Sequence, residues 1–265
     1  MTKGLLFLPF LSLFLIHCHP DSKEEIRDFT HAFDEYNVEG AFILYDLQQN
    51  QYIRHNPERC NLPVIPASTF KIFNSLVSLE TGAIEDANTL IEWDGVESWN
   101  KEWNRDHTLQ SAFQVSCVPC YQQLARKIGA EQMQHYIDQH QYGNQDISGG
   151  IVMFWLTGNL RISPDEQVAL LKKLYANELG FSAHTMQIVR DIMVIEQDST
   201  YTLRGKTGWG IIDDTNYGWF VGYIEKDENV YFFATNIETD QPEDSFAQAR
   251  KAISLNILKE LGILG

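Results

Sequence analysis

Pro66-Ala67-Ser68-Thr69-Phe70-Lys71 places a hydroxyl and an amine three residues apart at the head of an apolar run. Ile72, Phe73, Leu76, Val77 and Leu79 follow with helical spacing, and Gly82 is a suitable stop. Residues i and i+3 share a helix face, so Ser68 Oγ and Lys71 Nζ can meet. A serine hydroxyl is a poor nucleophile until a base takes its proton. A lysine among apolar side chains loses the solvation of its charge, and its pKa falls. The segment therefore reads as a nucleophile with its own base, a Ser-Lys variant of triad logic. The plain alternative is an ordinary helix with Ser as N-cap and an exposed Lys one turn later. Ser-x-x-Lys is a short pattern, so the rest of the chain must decide.

With 265 residues the chain can bury a substantial core in one large domain or in one domain with a helical insertion. Its net charge of −16 argues against nucleic acid and anionic membrane surfaces as partners. Lys3 followed by the apolar stretch from Leu5 to Ile16 reads as a signal peptide over residues 1–19, too short to span a bilayer. The mature domain is then 20–265, exported to the periplasm. Leu15-Ile16-His17-Cys18 adds the alternative of a lipid anchor on Cys18, although His17 fits such a signal poorly. Cys60, Cys117 and Cys120 remain. The last two have C-x-x-C spacing, but no second Cys/His pair at metal spacing accompanies them, so no metal is expected. Buried free thiols are the default expectation, and an exported chain can oxidise two of them.

Ala41 to Leu47 and Gln51 to Arg54 flank a polar turn and read as a β-hairpin. From Ser68 to about Ile195 helical patterns dominate. One runs from Pro119 to Ile128 with Gly129 as a stop, one from Glu131 to about His140, and one from the start signal Ser163-Pro164 to about Leu179. Tyr201 to Gly208, Tyr217 to Glu225 and Val230 to Ile237 are aromatic and β-branched runs separated by turns, and Ser245 to Leu261 returns to helical spacing. The expected fold class is α/β of the α+β type: a largely antiparallel sheet from both chain ends, flanked by helices, with a helical central lobe. A cleft between lobes is a natural ligand site.

Two further motifs have the right character for such a cleft. Ser116-Cys117-Val118 precedes a helix, and Lys206-Thr207-Gly208, followed by Trp209, starts a strand. Lys206 could attract a substrate carboxylate, Thr207 could add a hydroxyl bond, and Gly208 could let a substrate lie close to the strand edge. The plainer readings are a helix N-cap for Ser116 and a blunted edge strand for Lys206. In this order the three motifs resemble those of the penicillin-recognising serine enzymes. The likeness is closest to class D β-lactamases, the oxacillinases. Pro66 to Lys71, Ser116-x-Val118, Tyr142-Gly143-Asn144, Phe154-Trp155-Leu156, Leu160 to Pro164, Glu166-Gln167 and Arg250 all resemble that family's boxes. Glu-x-x-Leu-Asn, the class A deacylation box, is missing from the sequence.

The resemblance implies a serine β-lactamase acting on small β-lactam substrates. It implies that Lys71 is carboxylated by CO2 or bicarbonate (N6-carboxylysine) and serves as general base, with no separate cofactor molecule. Ser68 would be the nucleophile and Ser116 a proton shuttle. Trp155 would donate its indole N–H to the carbamate, and the backbone N–H groups of Ser68 and Trp209 would hold the oxyanion. Val118 and Leu156 would line the pocket, while Lys206, Thr207, Gly208 and Arg250 would receive the substrate. Two alternatives share the first motif: a penicillin-sensor domain that stays acylated, and a small cell-wall peptidase. No nucleic acid and no membrane-spanning segment are expected, and a homodimer stays open. Tyr142-Gly143-Asn144 is read as a structural turn, and Arg250 could instead merely bridge helix and sheet.

Overall fold

The aromatic and β-branched runs from both ends of the chain pair into one sheet in the computed structural model, which describes residues 22–265. The expected leader, including Cys18, lies outside the described residues. The strands are β1 (Lys23–Ile26), β2 (Glu39–Asp46), β3 (Gln51–His55), β4 (Leu90–Ile91), β5 (His107–Thr108), β6 (Val194–Gln197), β7 (Tyr201–Ile212), β8 (Thr215–Lys226) and β9 (Asn229–Thr239). Seven of them form a sheet in the order β1-β3-β2-β9-β8-β7-β6, and β4 pairs with β5 apart from it. All ladders are antiparallel except β1 with β3. The β2–β9 ladder joins the two chain ends, as expected. Asp213-Asp214 and Asp227-Glu228 all have positive φ, which suits the two-residue hairpin turns that match the twist of β7–β9.

Alternate residues of the central strands enter two different cores. Along β8, Trp219, Val221 and Tyr223 face the helical lobe, whereas Phe220 and Ile224 face the C-terminal helix Phe246–Glu260. Burial on both faces explains why these strands read as nearly continuous apolar runs. The lobe contains helices Lys71–Glu80, Val118–Ile128, Ala130–Gln139, Pro164–Tyr175 and Ala183–Ile192. Gly82 and Gly129 stop the first two with φ of +71° and +81°. Among the described residues no helix is long and apolar enough to cross a membrane.

Three expectations need correction. The helix starting at Pro164 ends at Tyr175, short of Leu179, because Asn177 turns left-handed at φ +59°. β1 and β6 were not anticipated: both are largely exposed and lack the alternation that marks a half-buried strand. Cys117 and Cys120 are joined by a disulfide, so among the described residues the free-thiol expectation holds only for buried Cys60.

Candidate active site

Ser68 lies in a 3-10 turn, Ala67–Phe70, and Lys71 opens the following α-helix. The sequence predicts an α-helical start, but the tighter turn aligns side chains i and i+3 more directly. Lys71 Nζ donates to Ser68 Oγ at 2.8 Å. Ala67 has φ +48°, a left-handed value that costs a residue with a Cβ about 1–3 kcal/mol. The surroundings hold it there. Val64 and Ile162 exchange backbone bonds of 3.0 and 2.9 Å. Thr69 Oγ1 donates to Pro66 O and accepts from Gln167 Nε2, both at 2.8 Å, and Trp219 Nε1 donates to Ile65 O at 2.8 Å.

Lys71 has no solvent exposure. Its Nζ lies 5.3 Å from the centre of the Tyr121 ring, and the Tyr121 hydroxyl pairs with Ser75 Oγ at 2.8 Å. Burial first, and the Lys206 charge second, hold the Lys71 amine well below the usual lysine range. Phe70 stacks on Trp155, with ring centres 5.4 Å apart, and Phe154 meets Phe70 edge-on. Trp155 is fully buried, yet its Nε1 has no hydrogen-bond partner among the described residues. A buried unpaired donor costs about 1–3 kcal/mol. An acceptor such as a carboxylate formed on Lys71 would fit that need.

The β7 strand reaches Ser68 from the other side. β6 pairs only with Thr202 to Arg204, so from Lys206 onward the outer edge of β7 has no strand neighbour among the described residues. A Cβ on Gly208 would stand 3.0 Å from Pro66 O and 3.2 Å from Thr69 Cγ2. The space that glycine leaves thus faces the Ser68 turn. Gly210 is equally close to Ile65 and Ala67, with Leu156 O nearby.

Lys206 is buried, donates to Thr207 O at 3.0 Å and lies 5.6 Å from the Phe113 ring. Burial, then the Arg250 charge, pushes its pKa down to about 7. Arg250 donates to Gly208 O at 2.8 Å and Ala247 O at 2.9 Å, so it does bridge helix and sheet. Burial pushes it down to about 10. Trp209 points the other way, with its ring 5.6 Å from the Arg250 guanidinium and Nε1 donating to Asn216 Oδ1 at 2.9 Å.

Ser116 is not a helix N-cap: Cys117 is, and Ser116 takes φ +55° just before it. Its N–H donates to the carbonyl of Phe113, the residue whose ring neighbours Lys206. Val118 opens the helix that packs on Lys71–Glu80. Tyr142-Gly143-Asn144 is structural, since Asn144 exchanges bonds of 2.9 Å with the Arg161 backbone. Of the groups that hold this site in place, the sequence offers Gln167 within the Glu166-Gln167 box, polar on the buried face of its helix, but gives no sign of Trp219, Ser75 and Tyr121.

Residues 40–260 match the penicillin binding protein transpeptidase domain. The chain is 39% identical over 241 residues to beta-lactamase OXA-48 of Klebsiella pneumoniae, covering 91% of this chain and 90% of that one. It is 44% identical over 232 residues to the probable beta-lactamase YbxI of Bacillus subtilis (strain 168), covering 87% and 84%. Among solved structures, the C-terminal domain of the Bacillus licheniformis BlaR penicillin-receptor superposes with a TM-score of 0.88 at 36% identity, covering 93% of this chain and 99% of that one. Similarity of this extent, over a chain that brings Ser68 onto Lys71, shows that it belongs to the class D β-lactamases, with their transpeptidase-like fold.

Proposed function

We propose that the protein hydrolyses the β-lactam amide of penicillin-type antibiotics through an acyl-enzyme on Ser68, and so confers resistance to them. The observation that carries this reading is the 2.8 Å contact between Ser68 Oγ and a lysine with no solvent exposure. Burial favours the neutral amine, whose lone pair can take the Ser68 proton as Oγ attacks the strained carbonyl. The backbone N–H groups of Ser68 and Trp209 receive the oxyanion. Ser116 hands a proton to the departing ring nitrogen. Lys206, Thr207 and Arg250 hold the substrate carboxylate, which favours the charged form of Lys206, while Val118 and Leu156 wall the pocket.

Carboxylation by CO2 or bicarbonate would supply an anionic base at Lys71, and it requires the neutral amine that burial favours. The unpaired Trp155 indole N–H is the donor suited to hold that anion. The leader read at 1–19 makes this an exported, periplasmic activity.

A second reading is favoured by the likeness to the BlaR penicillin-receptor domain. In it Ser68 is acylated and the adduct persists. Val118 and the Phe154-Trp155-Leu156 box favour turnover instead. Both readings require Ser68 to be the acylated residue, and intact-protein mass spectrometry tests that. Wild type quenched early with benzylpenicillin should carry one penicilloyl group. Ser68→Ala should carry none, and an adduct on that variant would contradict both readings.

A further inference from the structure

The Cys117–Cys120 disulfide spans Val118, inside the Ser116-x-Val118 motif. Cys117 is the N-cap of the eleven-residue helix Val118–Ile128, and its sulfur accepts from Cys120 N at 3.2 Å. Helix N-termini stabilise thiolates, which is how C-x-x-C pairs become exchangeable. A second feature adds to this. A ring nitrogen of buried His107 and the two sulfurs all lie within 4.8 Å of one another. His107 is fixed there by Ser111 Oγ at 3.0 Å and Glu102 O at 2.8 Å.

The same turn carries the site. Ser116, left-handed at φ +55°, directly precedes Cys117. Tyr121, whose ring lies beneath Lys71 Nζ, directly follows Cys120. A disulfide holds its sulfurs about 2 Å apart, whereas non-bonded heavy atoms settle at about 3.5–4 Å. Cys117 and Cys120 are 0% and 4% exposed, so the closely packed surroundings must absorb the difference. The groups next in line are Ser116, Val118 and Tyr121. A misplacement of about 1 Å in a catalytic constellation can cost 10²-fold in rate.

We propose that Cys117–Cys120 is a thiol–disulfide switch on the active site: a dithiol reductant opens it and slows β-lactam turnover, and reoxidation restores the rate. This rests on the hydrolase reading of Ser68. In the exchange the reductant's two S–H bonds break and its sulfurs join as a disulfide. The Cys117–Cys120 bond breaks, its sulfurs take up two electrons, and two protons complete the thiols.

The test treats the purified full chain with graded dithiothreitol under native conditions. Acid quenching, alkylation and peptide mass spectrometry give the fraction of the pair reduced. The same samples are assayed for hydrolysis of a chromogenic cephalosporin and for the rate of Ser68 labelling by a fluorescent penicillin, with circular dichroism reporting the fold. Turnover should fall about 10- to 100-fold in step with reduction of the pair, with the spectrum unchanged, and recover on reoxidation with oxidised glutathione. The Cys117→Ala/Cys120→Ala protein should not respond to dithiothreitol. The switch is overturned by full turnover with the pair reduced, by an equal loss in the double variant, or by a disulfide that opens only on unfolding. If the oxidised protein shows no turnover at all, the hydrolase reading fails separately, and the labelling rate decides the switch by the same criteria.

Discussion

A Cβ on Gly208 would stand 3.0 Å from Pro66 O, so β7 meets the Ser68 turn through a glycine. Two of the three nearest obstacles, Pro66 O and Trp219 Cβ at 3.3 Å, belong to segments that the Trp219–Ile65 hydrogen bond ties together. In Gly208→Ala either β7 or the Ser68 turn must give by a few tenths of an ångström. Overpacking of this kind costs about 1–3 kcal/mol, and displaced catalytic geometry costs about tenfold or more in rate. Steady-state kinetics and a thermal melt should show both losses together, and wild-type values in either would contradict the packing account.

Lys71 has no exposed surface and contacts Ser68 directly, so its removal should act on the chemistry rather than on substrate capture. Lys71→Ala should lower kcat by about 10²- to 10⁴-fold, the range for loss of a general base. Added bicarbonate should not restore it. Turnover that survives in this variant would move the base elsewhere.

Trp155 combines complete burial with an unpaired indole N–H, and Phe keeps most of the ring while removing that donor. In Trp155→Phe, activity at ambient CO2 should drop and rise again with added bicarbonate, more steeply than in wild type. Kinetics across a bicarbonate series measure this. Identical curves for the two proteins would reduce Trp155 to packing.

Lys206 supplies opposite pH trends for stability and activity. Its pKa is about 7 in the folded protein, and about 10.4 is ordinary for the unfolded chain. Between these values the unfolded state binds more protons, so this group makes stability rise as pH climbs from about 7 toward 10. Lys71 is displaced in the same direction. The proposed capture of a substrate carboxylate needs Lys206 charged, so kcat/KM should fall as pH rises through about 7. Lys206→Met should weaken both slopes, as denaturant titrations and pH–rate profiles will show.

The Ser68–Lys71 pair was legible because a spacing of three maps onto one side of any helical turn, whether α or 3-10. The sheet was legible because β2, β8 and β9 are buried on both faces and so read as long apolar runs. Other features depend on contacts remote in sequence. Gly208 is required by Pro66, Thr69 is held by Gln167, and Ile65 is held by Trp219. No local pattern carries those pairings. β1 is exposed and takes its place only by pairing in parallel with β3, so its composition gave no sign of a strand. The C-x-x-C spacing fits free thiols, a metal site or a disulfide alike, and the structure joins Cys117 to Cys120.

In the proposed function Ser68 is acylated and then released. Following benzylpenicillin in large molar excess over the protein, with bicarbonate present, tests it most directly. Hydrolysis should run linearly over many equivalents and be abolished in Ser68→Ala. A burst of one equivalent followed by no further hydrolysis, with a stable penicilloyl group on Ser68, would contradict it and make the protein a penicillin receptor.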